Sequence, residues 1–78
     1  MEKYSLSATI WEEDGVYVSV CPEIDVSSCG DTPGEALANL KEAVSLYIEN
    51  ARELGMLEDI RPALTASQRF QATIEIDA

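Results

Sequence analysis

Apolar and polar residues alternate in two stretches near the start of the chain, residues 4–11 and 16–21. Alternation of this kind is typical of half-buried β-strands. Pro22 ends the second stretch, because proline cannot continue the hydrogen bonding of a strand, and residues 22–25 are predicted to turn. A short third strand over residues 26–30 then completes a predicted antiparallel sheet.

The loop between the first two strands decides which residues share a face of the sheet. A two-residue loop at residues 14–15 would pair Ile10 with Ser19 and mix apolar and polar residues on one face. A three-residue loop over residues 13–15 pairs Ile10 with Val18 and keeps that face apolar. We therefore predict the three-residue loop, with Gly15 in the left-handed conformation that such loops require.

The spacing of apolar residues becomes helical from residue 33. Thr32 and Glu35 form a T-x-x-E capping box, in which the hydroxyl of Thr32 accepts from the Glu35 amide and the carboxylate of Glu35 accepts from the Thr32 amide. Pro33 suits the first helical position, and Gly55 suits the end of the helix. A helix over residues 33–54 is predicted to cover the sheet with one apolar stripe. The stripe consists of Leu37, Leu40, Val44, Tyr47, Ile48 and Ala51.

The rest of the chain is predicted to form a loop at Arg61-Pro62 and then a final strand, because residues 70–76 alternate again. The predicted fold class is α+β, with three antiparallel strands, one helix packed on the sheet and a final strand in the same sheet. One domain covers residues 1–78. A domain of this length has a small core, so self-association into a homodimer or larger oligomer is expected to add stability.

The sheet face opposite the helix is the candidate interaction surface. Trp11 and Tyr17, which the predicted register sets opposite each other, are large amphipathic side chains typical of interface anchors. An antiparallel sheet can also leave one face in water, where a Trp/Tyr pair only stabilises the strands. The face is predicted to carry Ser5, Ser7, Thr9, Trp11, Tyr17, Ser19, Thr73 and Glu75.

The charge of the chain narrows the class of partner. There are 15 acidic and 5 basic residues, which give a net charge of −10. Direct nucleic-acid binding is not expected, because phosphate contacts need clustered Lys and Arg. An acidic surface suits a basic protein, although such a charge also simply keeps small proteins soluble. Glu12, Glu13 and Asp14 are predicted to form the rim of the interface around its two aromatic anchors.

A second interface on the helix stays open as an alternative. Leu46 lies about 120° from the middle of the helical stripe and is therefore expected to be exposed on the flank of the helix. If self-association occupies the sheet face, a partner would bind the helix side near Leu46 and Glu49.

Residue types that support catalysis or metal binding are sparse. The chain has no histidine, which excludes Ser-His and Cys-His pairs, and Cys21 and Cys29 are expected to be reduced. The acidic run over residues 12–14 could hold a hard cation, but consecutive carboxylates on a hairpin tip point in different directions and more often form a solvated turn. We therefore predict no enzyme activity, no cofactor and no metal site.

An ordered set of residues between Tyr4 and Tyr47 resembles a known family. The set consists of Asp14, Gly15, Tyr17, Val18, Pro22, Glu23, Ile24, Ser28, Gly30, Asp31, Thr32, Glu35, Ala36, Asn39, Glu42 and Ala43. In this order it resembles the HicB-type antitoxin family, also called the HicB-like or UPF0150 domain. The resemblance implies a truncated ribonuclease H-like β-β-β-α-β fold without its catalytic acids.

The same resemblance implies binding rather than catalysis. HicB-type antitoxins clamp HicA, a small basic RNA-cleaving toxin, and cover its active site; many also carry a C-terminal DNA-binding domain. The stretch after Gly55 has room for a loop and the final strand but not for such a domain as well, so operator binding is not expected. The alternative is a solitary homo-oligomeric domain with no toxin partner.

The location is expected to be cytoplasmic. The longest apolar stretches are too short to cross a membrane, and the first residues lack the apolar core of a signal peptide. A neighbouring gene for a short, Lys-rich protein would favour the antitoxin hypothesis over the solitary one.

Overall fold

The computed structural model describes residues 3–66 and 69–77. The predicted domain also takes in residues 1, 2, 67, 68 and 78, which lie outside the described residues. The elements in chain order are β1 (Thr9–Glu13), β2 (Val16–Cys21), β3 (Val26–Gly30), α1 (Pro33–Glu53) and α2 (Leu57–Leu64). The strands form an antiparallel sheet in the order β1-β2-β3, followed by the helices. The α+β class with three antiparallel strands is confirmed.

The first hairpin has a two-residue turn, so the predicted three-residue loop is wrong. Glu13 pairs with Val16 across the turn, and Ile10 pairs with Ser19. Asp14 has a φ of 50° and Gly15 a φ of 84°. Two successive residues with positive φ are the requirement of the type I′ turn, whose twist matches that of the strands and which Asp-Gly adopts readily. The preference of Asp-Gly for the type I′ turn therefore outweighs the tendency to keep one face of the sheet apolar.

In this register, each side chain of β2 lies on the face of the sheet opposite to the one predicted. Ser19 is fully buried beneath α1, where its hydroxyl donates to the Ala36 carbonyl at 2.9 Å. The hydrogen bond satisfies a polar group that would otherwise be costly to bury. Ser19 is therefore absent from the sheet face opposite the helix. That face instead carries the valines of the strand, Val16, Val18 and Val20.

Helix α1 starts as the capping box predicts, with one change of partner. Thr32 has the extended conformation of an N-cap, and its hydroxyl accepts from the Glu35 amide at 3.0 Å. The Glu35 carboxylate accepts from the amide of Asp31 at 3.3 Å, rather than from that of Thr32. Pro33 occupies the first turn, as expected.

The end of α1 is a Schellman motif centred on Gly55. Gly55 has a φ of 72°, and its amide donates to the Arg52 carbonyl at 3.2 Å. The Met56 amide donates to the Ala51 carbonyl at 2.7 Å. These two hydrogen bonds satisfy carbonyls that the last helical turn leaves unpaired. The predicted stop at Gly55 is confirmed.

A second helix occupies the region that was predicted to be a loop. Helix α2 runs over Leu57–Leu64 and contains Pro62, so the loop predicted at Arg61-Pro62 is wrong. Burial of Leu64, which is 1% exposed, and the pair of Glu58 with Arg61 at 3.2 Å support the helix. Pro62 lacks the amide that would donate to the Glu58 carbonyl, so α2 forms despite the loss of one helical hydrogen bond.

The predicted final strand is also not found. Residues 69–77 belong to no strand, so the described chain has the order β-β-β-α-α. Alternation marks a segment that is able to form a strand, but a strand also needs a partner edge for its backbone hydrogen bonds. Phe70, Ile74 and Ile76 are instead 90%, 76% and 73% exposed.

Candidate functional site

The sheet face turned away from α1 is the candidate functional site, and we call it the open face. Trp11 lies directly opposite Val18 of the central strand. Trp11 is 40% exposed and Val16 is 39% exposed. The pairing on both sides of β2 places eight residues on the open face: Thr9, Trp11, Glu13, Val16, Val18, Val20, Ser27 and Cys29. This surface is more apolar than the predicted one and combines an aromatic side chain with β-branched neighbours.

The indole of Trp11 is held in position by an acidic neighbour. Its Nε1 donates to Oε1 of Glu13 at 3.0 Å, and the two residues lie on the same side of β1 because they are two positions apart. The hydrogen bond directs the indole N–H along the strand. The exposed indole thus lies next to a carboxylate.

The other predicted anchor, Tyr17, lies on the opposite side of the sheet. Tyr17 pairs with Glu12 on one side and Gly30 on the other, and all three share the helix-covered face with Ser19. Tyr17 is accordingly half-buried, whereas Glu12 is exposed. The predicted placement of Trp11 opposite Tyr17 is therefore wrong, because the turn shifts the register by one residue.

The predicted acidic rim lies around the tip of the first hairpin. Glu12, Glu13 and Asp14 are all exposed, but successive residues of a strand point to opposite faces. Only Glu13 lies beside Trp11 on the open face, and Asp14 forms the turn. Within residues 3–66 and 69–77, no group of three or more His, Cys, Asp or Glu side chains is placed to hold a metal ion.

Leu46 and Glu49 form a separate patch on α1. Leu46 is 54% exposed, which confirms its predicted position on the flank of the helix, and Glu49 is also exposed. Because α1 covers the other face of the sheet, this patch lies across the domain from Trp11. The structure therefore does not bring the two predicted contact areas together.

The sequence patterns did not reveal a cluster around the carboxylate of Glu23, which is 10% exposed. Its Oε1 accepts from the Ser7 amide at 2.9 Å and lies 3.4 Å from Sγ of Cys21. Its Oε2 lies 3.2 Å from Nε of Arg69. Glu23 and Arg69 are far apart in the chain, so no local spacing could have indicated the pair.

Arg69 connects this cluster to the end of α2. Its guanidinium donates to the Leu64 carbonyl at 3.2 Å and also contacts the carbonyl of Ser5. One side chain thereby joins the turn after β2, the segment before β1 and the C-terminus of α2. We call Glu23, Arg69, Ser7 and Cys21 the Glu23 cluster.

The cluster shifts the pKa values of two groups in opposite directions. Burial tends to raise the pKa of Glu23, but hydrogen bonds, above all from Ser7, outweigh it and hold that pKa below its usual value. Burial, followed by the neighbouring Glu23 carboxylate, raises the pKa of the Cys21 thiol. Cys21 is therefore a protonated, buried thiol at neutral pH. Cys29 is a free, exposed thiol on the open face.

The stability that the Glu23 charge contributes should depend on pH. Since the pKa of Glu23 is lower in the folded chain, its contribution is present above the unfolded value of 4.5 and is lost as the pH falls through the folded value. The difference in unfolding free energy between the wild type and Glu23→Gln should therefore shrink from pH 7 to pH 3. Urea unfolding at a series of pH values measures it, and a constant difference would contradict the proposed role of this charge.

No family model and no solved structure matches this chain. The protein described as UPF0150 protein ssl0738, from Synechocystis sp., is 47% identical over 53 residues, which covers 67% of each protein. The chain belongs to the UPF0150 family. None of the described helices of this UPF0150 chain is long and apolar enough to cross a membrane.

Proposed function

We propose that this UPF0150 protein is a HicB-like, non-catalytic binding protein of the cytoplasm. In this proposal it binds a small basic HicA-type mRNA-cleaving toxin and covers its active site. The observation that carries the proposal is the open face, where an exposed tryptophan and a row of valines lie beside the carboxylate of Glu13. A partner that complements this surface has an apolar patch bordered by Lys or Arg.

The apolar centre of the open face supports protein binding. Trp11 and Val16 are about equally exposed, and the partly exposed Val18 lies opposite Trp11 and next to Val16 on the same face of β2. Tryptophan is enriched among interface residues that contribute most to affinity, because one rigid ring buries a large area at little entropic cost. The hydrogen bond to Glu13 already restrains the ring and reduces that cost further.

The charge of the chain supports a basic partner. A net charge of −10 attracts a basic protein over distances of about 10 Å at 0.1 M salt and so speeds up association. Binding rather than turnover fits the residue types, because a chain without histidine has no Ser-His or Cys-His pair to activate a nucleophile.

Replacement of Trp11 by Ala should weaken the complex with a HicA-type ribonuclease by about tenfold or more, because it removes the exposed aromatic anchor. The suitable probe is the ribonuclease encoded beside this gene or, where there is none, a set of purified HicA-type ribonucleases. Titration calorimetry measures the affinity, and an RNA-cleavage assay measures inhibition. The wild type should bind stoichiometrically and stop cleavage.

Tyr47→Ala is the matched control, because Tyr47 is an aromatic residue of similar exposure, 38%, on α1. We expect this variant to bind as the wild type does. If Tyr47→Ala weakens binding while Trp11→Ala does not, the partner binds the helix side near Leu46. If the wild type binds no HicA-type ribonuclease, the antitoxin proposal is wrong and the solitary homo-oligomeric domain remains.

A further inference from the structure

The C-terminal segment has a strand pattern without a strand partner. Residues 70–76, which we call the arm, place Phe70, Ala72, Ile74 and Ile76 at alternate positions. Its three large apolar side chains are between 73% and 90% exposed, which is unfavourable in water. The radius of gyration of the chain is 14.1 Å, above the about 11–12 Å expected of a compact chain of this length. The elongated shape agrees with an arm that lies outside the compact body.

The start of the arm is fixed by the Glu23 cluster. Arg69, the residue before the arm, is held by the Glu23 carboxylate and by the Leu64 carbonyl. Residues 70–73 of the arm lie near Thr9 and Pro22, at the end of the sheet where β1 begins. The arm therefore leaves the body at a defined point rather than as a loose tail.

Strand β1 offers a free edge for another strand. It is an outer strand of the sheet, and in the described part of the chain only β2 pairs with it. Its sequence contains no proline, its pairing with β2 contains no bulge, and its charged residues, Glu12 and Glu13, lie at the hairpin end of the strand. At the other edge the Cys29 carbonyl of β3 already accepts from Nδ2 of Asn39 at 2.8 Å. The edge of β1 is thus the better acceptor.

An apolar groove lies beside the segment that precedes β1, on the helix side of the sheet. Helix α1 lies mainly over β3 and β2, which leaves space between α1 and the segment before β1. The groove has a volume of about 450 Å³, and its lining includes Leu6, Ala8, Leu37, Val44 and Ile48. Leu37 belongs to the stripe predicted to be covered, but it is 48% exposed because the groove is open.

We propose that the arm of one chain pairs with the edge of β1 in a second copy and places Ile74 and Ile76 in the groove of that copy. The arm supplies what both sites lack, which is backbone hydrogen bonds for the edge and apolar side chains for the groove. When each copy gives its arm to the other, the β1 edge and the groove are filled in both copies, and the dimer has twofold symmetry. The second copy is the occupant because the arm, fixed at Arg69, leaves its own groove open.

The salt dependence of this dimer differs in sign from that of the proposed toxin complex. Two copies of charge −10 repel each other, so salt should tighten the dimer by screening the repulsion. A complex with a basic protein should associate more slowly as salt rises. The two proposals can therefore fail independently.

Sedimentation velocity of the full chain over a micromolar to millimolar range tests the dimer. We expect a species of twice the chain mass of 8.5 kDa that grows with concentration and with salt. Ile74→Glu should weaken the dimer by about tenfold or more, because it would put a carboxylate in an apolar groove. Thr73→Glu is the matched control, since it adds the same charge to the other face of the arm. We expect Thr73→Glu to change the affinity by about threefold or less.

Isotope-filtered NMR on a mixture of differently labelled copies identifies the acceptor. The proposal requires contacts between Ile74 of one copy and Leu37 or Val44 of the other. Contacts of Ile74 within its own copy, a monomer at all concentrations, or a dimer unaffected by Ile74→Glu would each overturn it. Circular dichroism confirms that the variants are folded, as expected for positions on an exposed arm.

Discussion

Replacement of Glu23 by Ala should lower the unfolding free energy by about 3 kcal/mol, the low end of the range for breaking a buried ion pair. The substitution leaves the Ser7 amide without its acceptor and the guanidinium of Arg69 without its counter-charge. The side chain of Arg69 keeps 23% of its exposure, so water relieves part of the cost. Urea unfolding followed by circular dichroism at pH 7 measures the effect.

Glu58→Ala is the control for Glu23→Ala, because it also removes a glutamate paired with an arginine. The side chain of Glu58 is 79% exposed, so its pair with Arg61 should contribute about 1 kcal/mol or less. Equal effects of the two substitutions would show that the Glu23 cluster adds nothing beyond an ordinary surface ion pair. They would also contradict the inference that the Glu23 cluster holds Arg69, and with it the start of the arm, in place.

Replacement of Gly30 by Ala should lower the unfolding free energy by about 2 kcal/mol. A Cβ at residue 30 would lie 2.6 Å from the amide nitrogen of Ala36 and 2.9 Å from the carbonyl carbon of Glu35. Both are backbone atoms, so the end of β3 and the first turn of α1 must move apart. The hydrogen bond from Ser19 of β2 to the Ala36 carbonyl involves the same turn of α1 and should weaken as well. Urea unfolding again measures the change.

The matched control for this prediction is Gly34→Ala. Gly34 lies in the first turn of α1, and a Cβ there would meet no atom within 4 Å. Alanine has the higher helix propensity, so the substitution should be neutral or stabilise the protein by up to about 1 kcal/mol. If Gly30→Ala is as harmless as Gly34→Ala, the close approach of β3 and α1 is wrong.

The elements that could be predicted from the sequence depend on neighbouring residues. The start of α1 follows from Thr32 and Glu35, which are three residues apart, and its end follows from the left-handed conformation of Gly55. The exposure of Leu46 follows from helical geometry. For the open face, the sequence identified Trp11 and Glu13 but placed Tyr17 there in error, because a shift of one residue moves every side chain of a strand to the other face.

The sequence by itself determined that three strands precede the first helix, and it determined the acidic charge, since each depends on local pattern or composition. The position of the first strand was predicted less well, because β1 covers Thr9–Glu13 rather than residues 4–11. Only the tertiary structure decided which face of β2 meets the helix, how Glu23 and Arg69 pair, and whether residues 70–76 join the sheet. These features depend on contacts between distant residues. A pattern of apolar residues shows that a segment is able to bury one face or to form a strand. The free energy of the whole fold decides which other segment it contacts.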